Sequence, residues 1–412
     1  MSEYDIAVIG AGPAGIMAAI RAGQLKKQVV LIERNDSIGK KILITGKGRC
    51  NLTNTSPIDI FIEKFGKSGQ FLRPAFLAFF TEELMEFFTS YGLELKVERQ
   101  GRVFPSTDSA GSVLDVLKRA VSENKVEVLY NTRIIDIVKE GCFILRSDKG
   151  GVIKACRIIL ATGGASYKET GSSGDGFNIA KSLGHTIAPL EPGLVPMTTK
   201  EAWVKEVQGL ALKNIRLTFK AGKKKISSGI GEMIFTHFGV SGPLILDLSQ
   251  KIASLAKEHK QVELFIDLKP GLTAVQIENN MISEIKKQGS KEVRSLLKAS
   301  LPASLVPVFA NVAGVDAVKK ASQIKQDERR SMVALFKAMP LTITGTLPLE
   351  EAMITAGGVP TVEINPRTLE SKVMPGLYFA GEIIEGGAQS GGYNLQQAFS
   401  TGYLAAKGAC DA

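Results

Sequence analysis

Three glycines near the start of the chain are spaced as a dinucleotide-binding turn requires. Gly10, Gly12 and Gly15 follow a short apolar segment, Tyr4–Ile9, and precede an Ala-rich segment, Ile16–Leu25. The first glycine permits a tight turn, the second lets the backbone approach a pyrophosphate, and the third lets helix and strand pack closely. A helix N-terminus behind them favours negative charge. We therefore predict that this turn binds a nucleotide; the alternative is a Gly-rich turn without a ligand.

An acid stands where such a fold recognises a ribose. Glu33 follows a second apolar segment, Gln28–Ile32, 18 residues after Gly15. A carboxylate there accepts hydrogen bonds from ribose hydroxyls and repels a 2′-phosphate. The nucleotide is therefore predicted to be FAD or NAD, not NADP.

The other end of the chain favours FAD. The strand-like segment Gly376–Ala380 runs into Gly381 and Glu382, and Gly391–Gln396 opens the last predicted helix, Tyr393–Lys407. An acid at that place can bind ribityl hydroxyls, and the helix N-terminus can face the flavin edge that gains negative charge. No second G-x-G-x-x-G motif follows a strand-like segment, so a separate nicotinamide domain is not expected.

The predicted cofactor-binding residues come from both ends of the chain and from the basic segment after the second strand. Lys41, Lys47 and Arg49 are candidates for pyrophosphate or an anionic substrate. The full predicted set is Gly10, Gly12, Pro13, Ala14, Gly15, Glu33, Arg34, Lys41, Gly48, Arg49, Cys50, Thr162, Gly163, Gly381, Glu382, Gly392, Tyr393, Asn394 and Leu395.

The elements that must position these residues form a βαβ unit at the start and an α/β pattern at the end. Short runs between Val126 and Leu160 predict a small antiparallel sheet that leads into a buried strand. Prolines between Pro189 and Pro196 mark a boundary. Segment 197–267 is strand-like and 273–338 is helical and basic. We therefore predict one α/β domain interrupted by a two-part insertion. The predicted ranges are 1–190 and 341–412 for the FAD-binding domain, and 191–340 for the substrate domain, mainly β over 191–268 and mainly helical over 269–340.

Composition excludes several classes of protein. The 412 residues are 44% hydrophobic, which excludes a disordered chain, and no apolar run is long enough for a transmembrane helix. The start of the chain lacks the pattern of a signal peptide. The four cysteines are scattered in sequence, which argues against a metal site and a redox-active disulfide and favours a cytoplasmic location.

The net charge of +10 is confined to the middle of the chain. Residues 200–340 contain 23 basic and 13 acidic residues, whereas the rest contains 28 of each. A basic segment attracts polyanions, and RNA is the usual one. The alternative is a solubilising surface on Lys-rich helices. Neither DNA nor a membrane is an expected partner.

Several ordered motifs make the chain similar to the YhiN/BaiN-like family of bacterial flavoproteins. The resemblance covers nearly the whole sequence. It is carried by Gly39–Asn54, Gly101–Pro105, Thr162–Gly164, Gly171–Gly176, Gly231–Pro243, Thr355–Gly358 and Glu363–Pro366.

The resemblance implies a glutathione-reductase-type, Rossmann-like FAD domain whose insertion has a β-barrel part and a helical part. It also implies one of three activities: reduction of a conjugated C=C bond in steroid-like bile acids, formation of dihydrouridine in ribosomal RNA, or oxidation of a small amine. The sequence departs from the family pattern at Ile384–Ser390, a loop expected beside the flavin.

Two residues are candidates for the catalytic proton donor. Reduction of a C=C bond by hydride from flavin N5 requires a proton donor on the other side of the substrate. Cys50 lies in a motif that the resemblance places near the cofactor; the alternative is a small packing residue. His237 is the one histidine inside a family motif; the alternative is a structural histidine. Asp175, before a predicted helix, is interpreted as an N-cap.

The leading hypothesis is an FAD-dependent reductase of a conjugated C=C bond, with a ribosomal RNA uridine as the favoured substrate because of the basic insertion. A nicotinamide nucleotide, NAD(P)H, is one candidate for the transient electron donor. The alternatives are an oxidase of a small amine, a reductase of a steroid-like enone, an RNA- or protein-binding flavoprotein with structural FAD, and a folate-dependent RNA methyltransferase.

Overall fold

The structure, a computed structural model, describes residues 3–259 and 261–411. The chain forms two compact units. The first unit consists of Met1–Gly193 and Leu349–Ala412, and the second of Leu194–Pro348. The first unit is thus assembled from both ends of the sequence. The role of residues 191–340 as a substrate domain stays a prediction.

The N-terminal part of the first unit alternates strands and helices. Its strands are β1 (Glu3–Ile9), β2 (Val29–Ile32), β3 (Thr53–Asn54), β4 (Leu95–Val97), β5 (Arg102–Pro105), β6 (Glu127–Leu129), β7 (Ile134–Glu140), β8 (Cys142–Ser147), β9 (Val152–Leu160) and β10 (Ala188–Gly193). Its helices are α1 (Pro13–Gln24), α2 (Lys40–Ile44), α3 (Ile58–Lys64), α4 (Gly69–Ala78), α5 (Thr81–Ser90), α6 (Ala110–Glu123) and α7 (Asp175–Ser182).

The second unit has a β part and a helical part. Its strands are β11 (Met197–Thr199), β12 (Ala211–Ala221), β13 (Lys224–Phe235), β14 (Gly239–Ser241), β15 (Val262–Asp267) and β16 (Met339–Thr346). Its helices are α8 (Pro243–Glu258), α9 (Ala274–Gln288), α10 (Val293–Lys298), α11 (Leu305–Ala313) and α12 (Gln326–Lys337). The chain then returns to the first unit with β17 (Ile354–Gly358), β18 (Leu377–Phe379) and α13 (Tyr393–Asp411).

The main sheet of the first unit has the order β6-β2-β1-β9-β8-β7, and β18 also pairs with β9. Strands β6, β2, β1, β9 and β18 are parallel, so their carboxyl ends lie at one edge. The antiparallel run predicted between Val126 and Leu160 is correct for β7, β8 and β9. It is wrong for Glu127–Leu129, which pairs in parallel with β2, because a strand that follows a crossover helix joins its sheet in the same direction.

Strands β11, β14, β13, β12, β15 and β16 close into a barrel in the second unit. The expectation of a strand-like segment over 197–267 is wrong within α8. Pro243 occupies the first turn of that helix, and Ile245, Ile252 and Leu255 share one buried face at helical spacing. Helices α9 to α12 occupy the segment predicted to be helical.

Candidate functional site

The glycine-rich turn at the end of β1 leaves room for a ligand at one of its three glycines. A Cβ atom on Gly15 would lie 1.8 Å from the carbonyl oxygen of Gly10, and one on Gly10 would lie 2.6 Å from that of Ala161. Both glycines therefore serve close packing inside the protein. A Cβ on Gly12 would meet no protein atom within 4 Å. The space above Gly12 is consequently open to whatever binds at the start of α1.

Glu33 is hydrogen-bonded to the backbone of this turn and to the backbone just after β2. Its side chain is only 7% exposed. Its carboxylate accepts hydrogen bonds from the backbone N–H groups of Ala11 and Asn35, each at 2.9 Å. Glu33 is thus held in place at the end of β2 as an acceptor beside the turn.

The C-terminal strand β18 brings a second acid to the same edge. Glu382, just after Gly381, accepts a hydrogen bond at 2.9 Å from the Lys41 ammonium and one at 2.7 Å from the backbone N–H of Thr355. Lys41 also donates to the Ser166 hydroxyl at 2.9 Å. A half-buried ion pair with these added hydrogen bonds is held in one geometry.

The glycine turn, Glu33, Lys41 and Glu382 all line one cavity. The cavity is lined by residues from the start of the chain, from the segment around Thr162 and from the C-terminal part. The predicted residues that line it are Gly10, Gly12, Pro13, Ala14, Glu33, Arg34, Lys41, Thr162, Gly163, Gly381, Glu382, Asn394 and Leu395.

Two observations indicate that the cavity walls fit FAD. The hydroxyl oxygen of Thr162 is buried and has no hydrogen-bond partner among the described residues, so a ligand atom can satisfy it. Gly12, which precedes Pro13 at the first turn of α1, presents bare backbone to the cavity. Unpaired N–H groups at a helix N-terminus suit the negative charge of a pyrophosphate.

The other predicted cofactor residues do not line the cavity. Gly15, Gly48, Arg49, Cys50, Gly392 and Tyr393 are absent from its wall. Gly15 and Gly392 pack against backbone instead: a Cβ on Gly392 would lie 2.3 Å from the Thr53 carbonyl oxygen. The ring of Tyr393 stacks edge-on against Phe61, with 4.7 Å between centroids.

Arg49 forms ion pairs with two carboxylates and does not line the cavity. Its guanidinium pairs with Glu98 and donates to Asp108 from Nε at 2.7 Å. It also lies 4.2 Å from the centroid of the Phe104 ring. An arginine that binds two carboxylates and packs on an aromatic ring stabilises the local structure.

Cys50 is fully buried in the core of the first unit. Burial raises the pKa of its thiol to about 11, and a hydrogen bond with Thr45 offsets this only in part. The thiol therefore stays protonated at neutral pH. The catalytic role of Cys50 stays a prediction, and its burial argues against that role.

His237 lies in the second unit, between β13 and β14, and its side chain is exposed. Its ring packs edge-on against Phe238, with 4.9 Å between centroids. Its catalytic role stays a prediction.

Sequence reasoning missed part of the cavity wall and misread one residue. Thr355 and Arg133 line the cavity, and only the family motif at residues 355–358 gave a signal for the first. Asp175 is wrong as an N-cap, because Gly174 occupies that position. Its carboxylate instead accepts hydrogen bonds from Arg133 at 2.7 and 2.9 Å and from Arg34 at 3.1 Å.

Comparison with known proteins decides the family. The family model described as HI0933-like protein Rossmann domain matches residues 4–408. The chain belongs to this family. As a member of the HI0933-like (YhiN/BaiN) family, it is an FAD-dependent oxidoreductase, which confirms the predicted resemblance, cofactor and class of enzyme.

Two characterised relatives match the chain from end to end. A 3-dehydro-bile acid delta(4,6)-reductase of Clostridium scindens is 34% identical over 98% of this chain and 99% of its own length. A ribosomal RNA dihydrouridine synthase of Escherichia coli is 28% identical over 99% and 98%.

A solved structure shows the same fold. The open conformation of a flavocytochrome c3 fumarate reductase superposes with a TM-score of 0.52 at 17% identity, over 100% of this chain and 78% of that one. The predicted fold class, a Rossmann FAD domain with a barrel and a helical insertion, is confirmed. Among the described residues, no helix combines the length and apolar character needed to cross a membrane.

Proposed function

We propose that this HI0933-like protein reduces a C=C bond conjugated to a carbonyl group, with a uridine of ribosomal RNA as substrate. The observation that carries the reaction type is the end-to-end similarity to two enzymes whose names both describe addition of hydrogen to such a bond. Bound FAD supplies the hydride. The protein must then hold the cofactor, orient the substrate and provide a proton.

The cavity residues divide into two groups along the cofactor. At one end, Gly10 and Gly12 and the start of α1 are proposed to hold the pyrophosphate, and Glu33 the adenosine ribose. At the other end, the pair of Lys41 and Glu382 is proposed to hold the ribityl chain. The support is that both acids are fixed by other protein groups and face the same cavity.

The proton donor is proposed to be His237, not Cys50. His237 is exposed and can reach a substrate, whereas the Cys50 thiol is buried and its pKa is raised to about 11. In purified holoenzyme, His237→Gln should slow substrate reduction by about 10² or more, the usual range for a lost general acid. Cys50→Ala should change the rate only a few-fold. Equal rates for His237→Gln and the wild type would overturn the assignment.

An RNA substrate is supported by the charge of the second unit. Residues 194–348 contain 23 basic and 13 acidic residues, and the rest of the chain is neutral. A small steroid does not need such a surface, whereas a phosphate backbone does. A ribosomal substrate would also place the protein in the cytoplasm, as predicted from the cysteine content.

Mass mapping of ribosomal RNA tests this proposal directly. Deletion of the gene should remove one dihydrouridine, and a plasmid copy should restore it. A copy with Gly12→Ala, designed to fold without FAD, should not. Unchanged RNA in the deletion strain would show that RNA is not the substrate.

A steroid-like enone is the second candidate, because the identity to the bile acid reductase is 34% and that to the RNA enzyme is 28%. Purified holoenzyme with NADH or NADPH should then consume a steroid dienone at a rate that Gly12→Ala abolishes. Rapid peroxide release on reaction of the reduced enzyme with oxygen would instead favour an amine oxidase, and inertness towards all acceptors a structural FAD.

A further inference from the structure

Two cysteines that are distant in sequence lie opposite each other on neighbouring strands. Strand β8 begins at Cys142 and pairs in antiparallel register with β9, where Phe143 faces Ala155. The next pair in the same register is Cys142 and Cys156. Phe143 and Ala155 are buried, so the alternation of side chains directs both thiols to the other, solvent-facing side of the sheet.

The spacing of such a pair suits a disulfide. Directly opposed residues in an antiparallel ladder have Cα atoms about 4.5 or 5.5 Å apart. Disulfides span Cα separations of about 4.4 to 6.8 Å. The two thiols are free, Cys156 is exposed and Cys142 is half-buried.

The charged neighbours of the pair set its reactivity. Burial raises the pKa of Cys156, and Cys142, Asp5 and Glu3 raise it further. The Lys154 ammonium lies near both thiols and is paired with Glu3 at 3.3 Å. Because the pKa of Cys156 is raised, little of its thiolate is present at neutral pH, so its oxidation requires a reactive oxidant.

We propose that Cys142 and Cys156 form a reversible disulfide on exposure to a peroxide. The Cys156 thiolate attacks one peroxide oxygen, the O–O bond breaks, and a sulfenic acid and water form once the departing oxygen takes up protons. The Cys142 sulfur then attacks the Cys156 sulfur, the S–O bond breaks, and a second water leaves. In sum, two thiols lose two electrons and two protons, and hydrogen peroxide becomes two waters. A dithiol reductant reverses the reaction.

The disulfide would close the hairpin of residues 143–155 at its open end. Strand β9 continues from Cys156 to Leu160 and then into Ala161–Gly163 of the cavity wall.

The test treats the FAD-loaded protein with hydrogen peroxide under native conditions. We expect the loss of two free thiols and a cross-linked pair of peptides that contain Cys142 and Cys156, both reversed by dithiothreitol. Cys142→Ser and Cys156→Ser should each abolish the cross-link. Cys410→Ser, which removes a half-buried cysteine elsewhere, should retain it.

Two further variants probe the charges. Glu3→Gln should speed cross-linking by leaving Lys154 to favour the thiolate, and Lys154→Gln should slow it, several-fold in each case. The proposal is overturned if both thiols remain open to alkylation after peroxide treatment. It is equally overturned if Cys156 advances to the sulfinic acid while Cys142 stays free.

Discussion

At the scale of the residue, the glycines of one motif are required for different reasons. Gly15 is required by the packing of the protein itself, since any Cβ there would collide with the Gly10 carbonyl oxygen. Gly12 is not constrained by any protein atom, and its φ of −79° is open to any residue. We therefore propose that bound FAD is what excludes a side chain at Gly12.

The variants Gly12→Ala and Gly15→Ala distinguish a glycine required for ligand binding from one required for protein packing. Gly12→Ala should leave the free energy of unfolding of the apoprotein within about 0.5 kcal/mol of wild type, but lower FAD affinity by about 1000-fold or more, so that the variant purifies without flavin. Gly15→Ala should lower apoprotein stability by about 2 kcal/mol or more, because backbone must move. Denaturant unfolding and flavin absorbance measure the two effects. Full flavin content in Gly12→Ala would refute the proposed position of the pyrophosphate.

The buried thiol of Cys50 makes stability depend on pH at the alkaline side. The folded pKa is about 11, against an ordinary 9.0, so folding favours the protonated thiol. The contribution is complete below pH 9 and is lost as pH rises towards 11. Its size is on the order of 2 to 3 kcal/mol. Unfolding of Cys50→Ala should show a shallower decline over that range than wild type. Parallel pH profiles would contradict the assignment.

The sequence predicted the two acids and the glycine turn because their spacing follows from backbone geometry. It could not predict that Arg49 lies outside the cavity wall. The carboxylates of Glu98 and Asp108, which bind Arg49, come from β4–β5 and the following turn, far along the chain. Burial of Cys50 is likewise a property of the tertiary packing, not of its motif.

At the scale of the element, the cavity depends on the close packing of α1 against α13. A Cβ on Gly402 would lie 2.2 Å from the Ala14 carbonyl oxygen, and one on Gly381 would lie 2.7 Å from the Ala14 Cβ. The small residues let the two helices approach within backbone contact. The N-terminus of α1 and that of α13 are thereby held on the same cavity.

Gly402→Ala should push these helices apart. We expect a loss of about 1 to 3 kcal/mol in unfolding free energy, as for other overpacked sites, together with a lower FAD content. Lys407→Ala, an exposed position on the same helix, is the matched control and should change neither. Thermal unfolding and flavin absorbance of the purified proteins measure both effects. A Gly402→Ala variant with the melting temperature and flavin of the control would refute the contact.

Element types were predictable where period and turn signals agreed, as in β1 and α1. The prediction failed for helix α8, which lies within a segment whose other elements are strands. The pairing of β6 with β2 depends on a crossover that the short run Glu127–Leu129 does not encode by itself.

At the scale of the whole molecule, the segment with excess positive charge coincides with the second unit. The second unit carries the entire net charge of +10. Composition alone reveals this division, because charge is additive along the sequence. It does not reveal which basic side chains gather on one surface, because that depends on strand pairing. Lys213, Arg216, Lys220, Lys223 and Lys225 are all exposed on the hairpin of β12 and β13.

Binding of RNA by this hairpin is a testable consequence of the proposed function. The triple variant Lys220→Gln, Lys223→Gln and Lys225→Gln should weaken binding of a ribosomal RNA fragment and reduce the salt slope by about two to three, nearly one per lost phosphate contact. The matched control replaces Lys118, Lys125 and Lys149, which are exposed in the first unit. Equal salt slopes for the two triple variants would show that the hairpin does not contact RNA.

The pair of Lys41 and Glu382 joins residues 341 positions apart. On the ribosome, residues 10–15 emerge early, but the acid and the helix that complete the cavity are translated only after the whole second unit. We therefore expect a nascent chain to lack a complete flavin site until α13 has left the exit tunnel. Chains shortened within α13 should accordingly purify colourless.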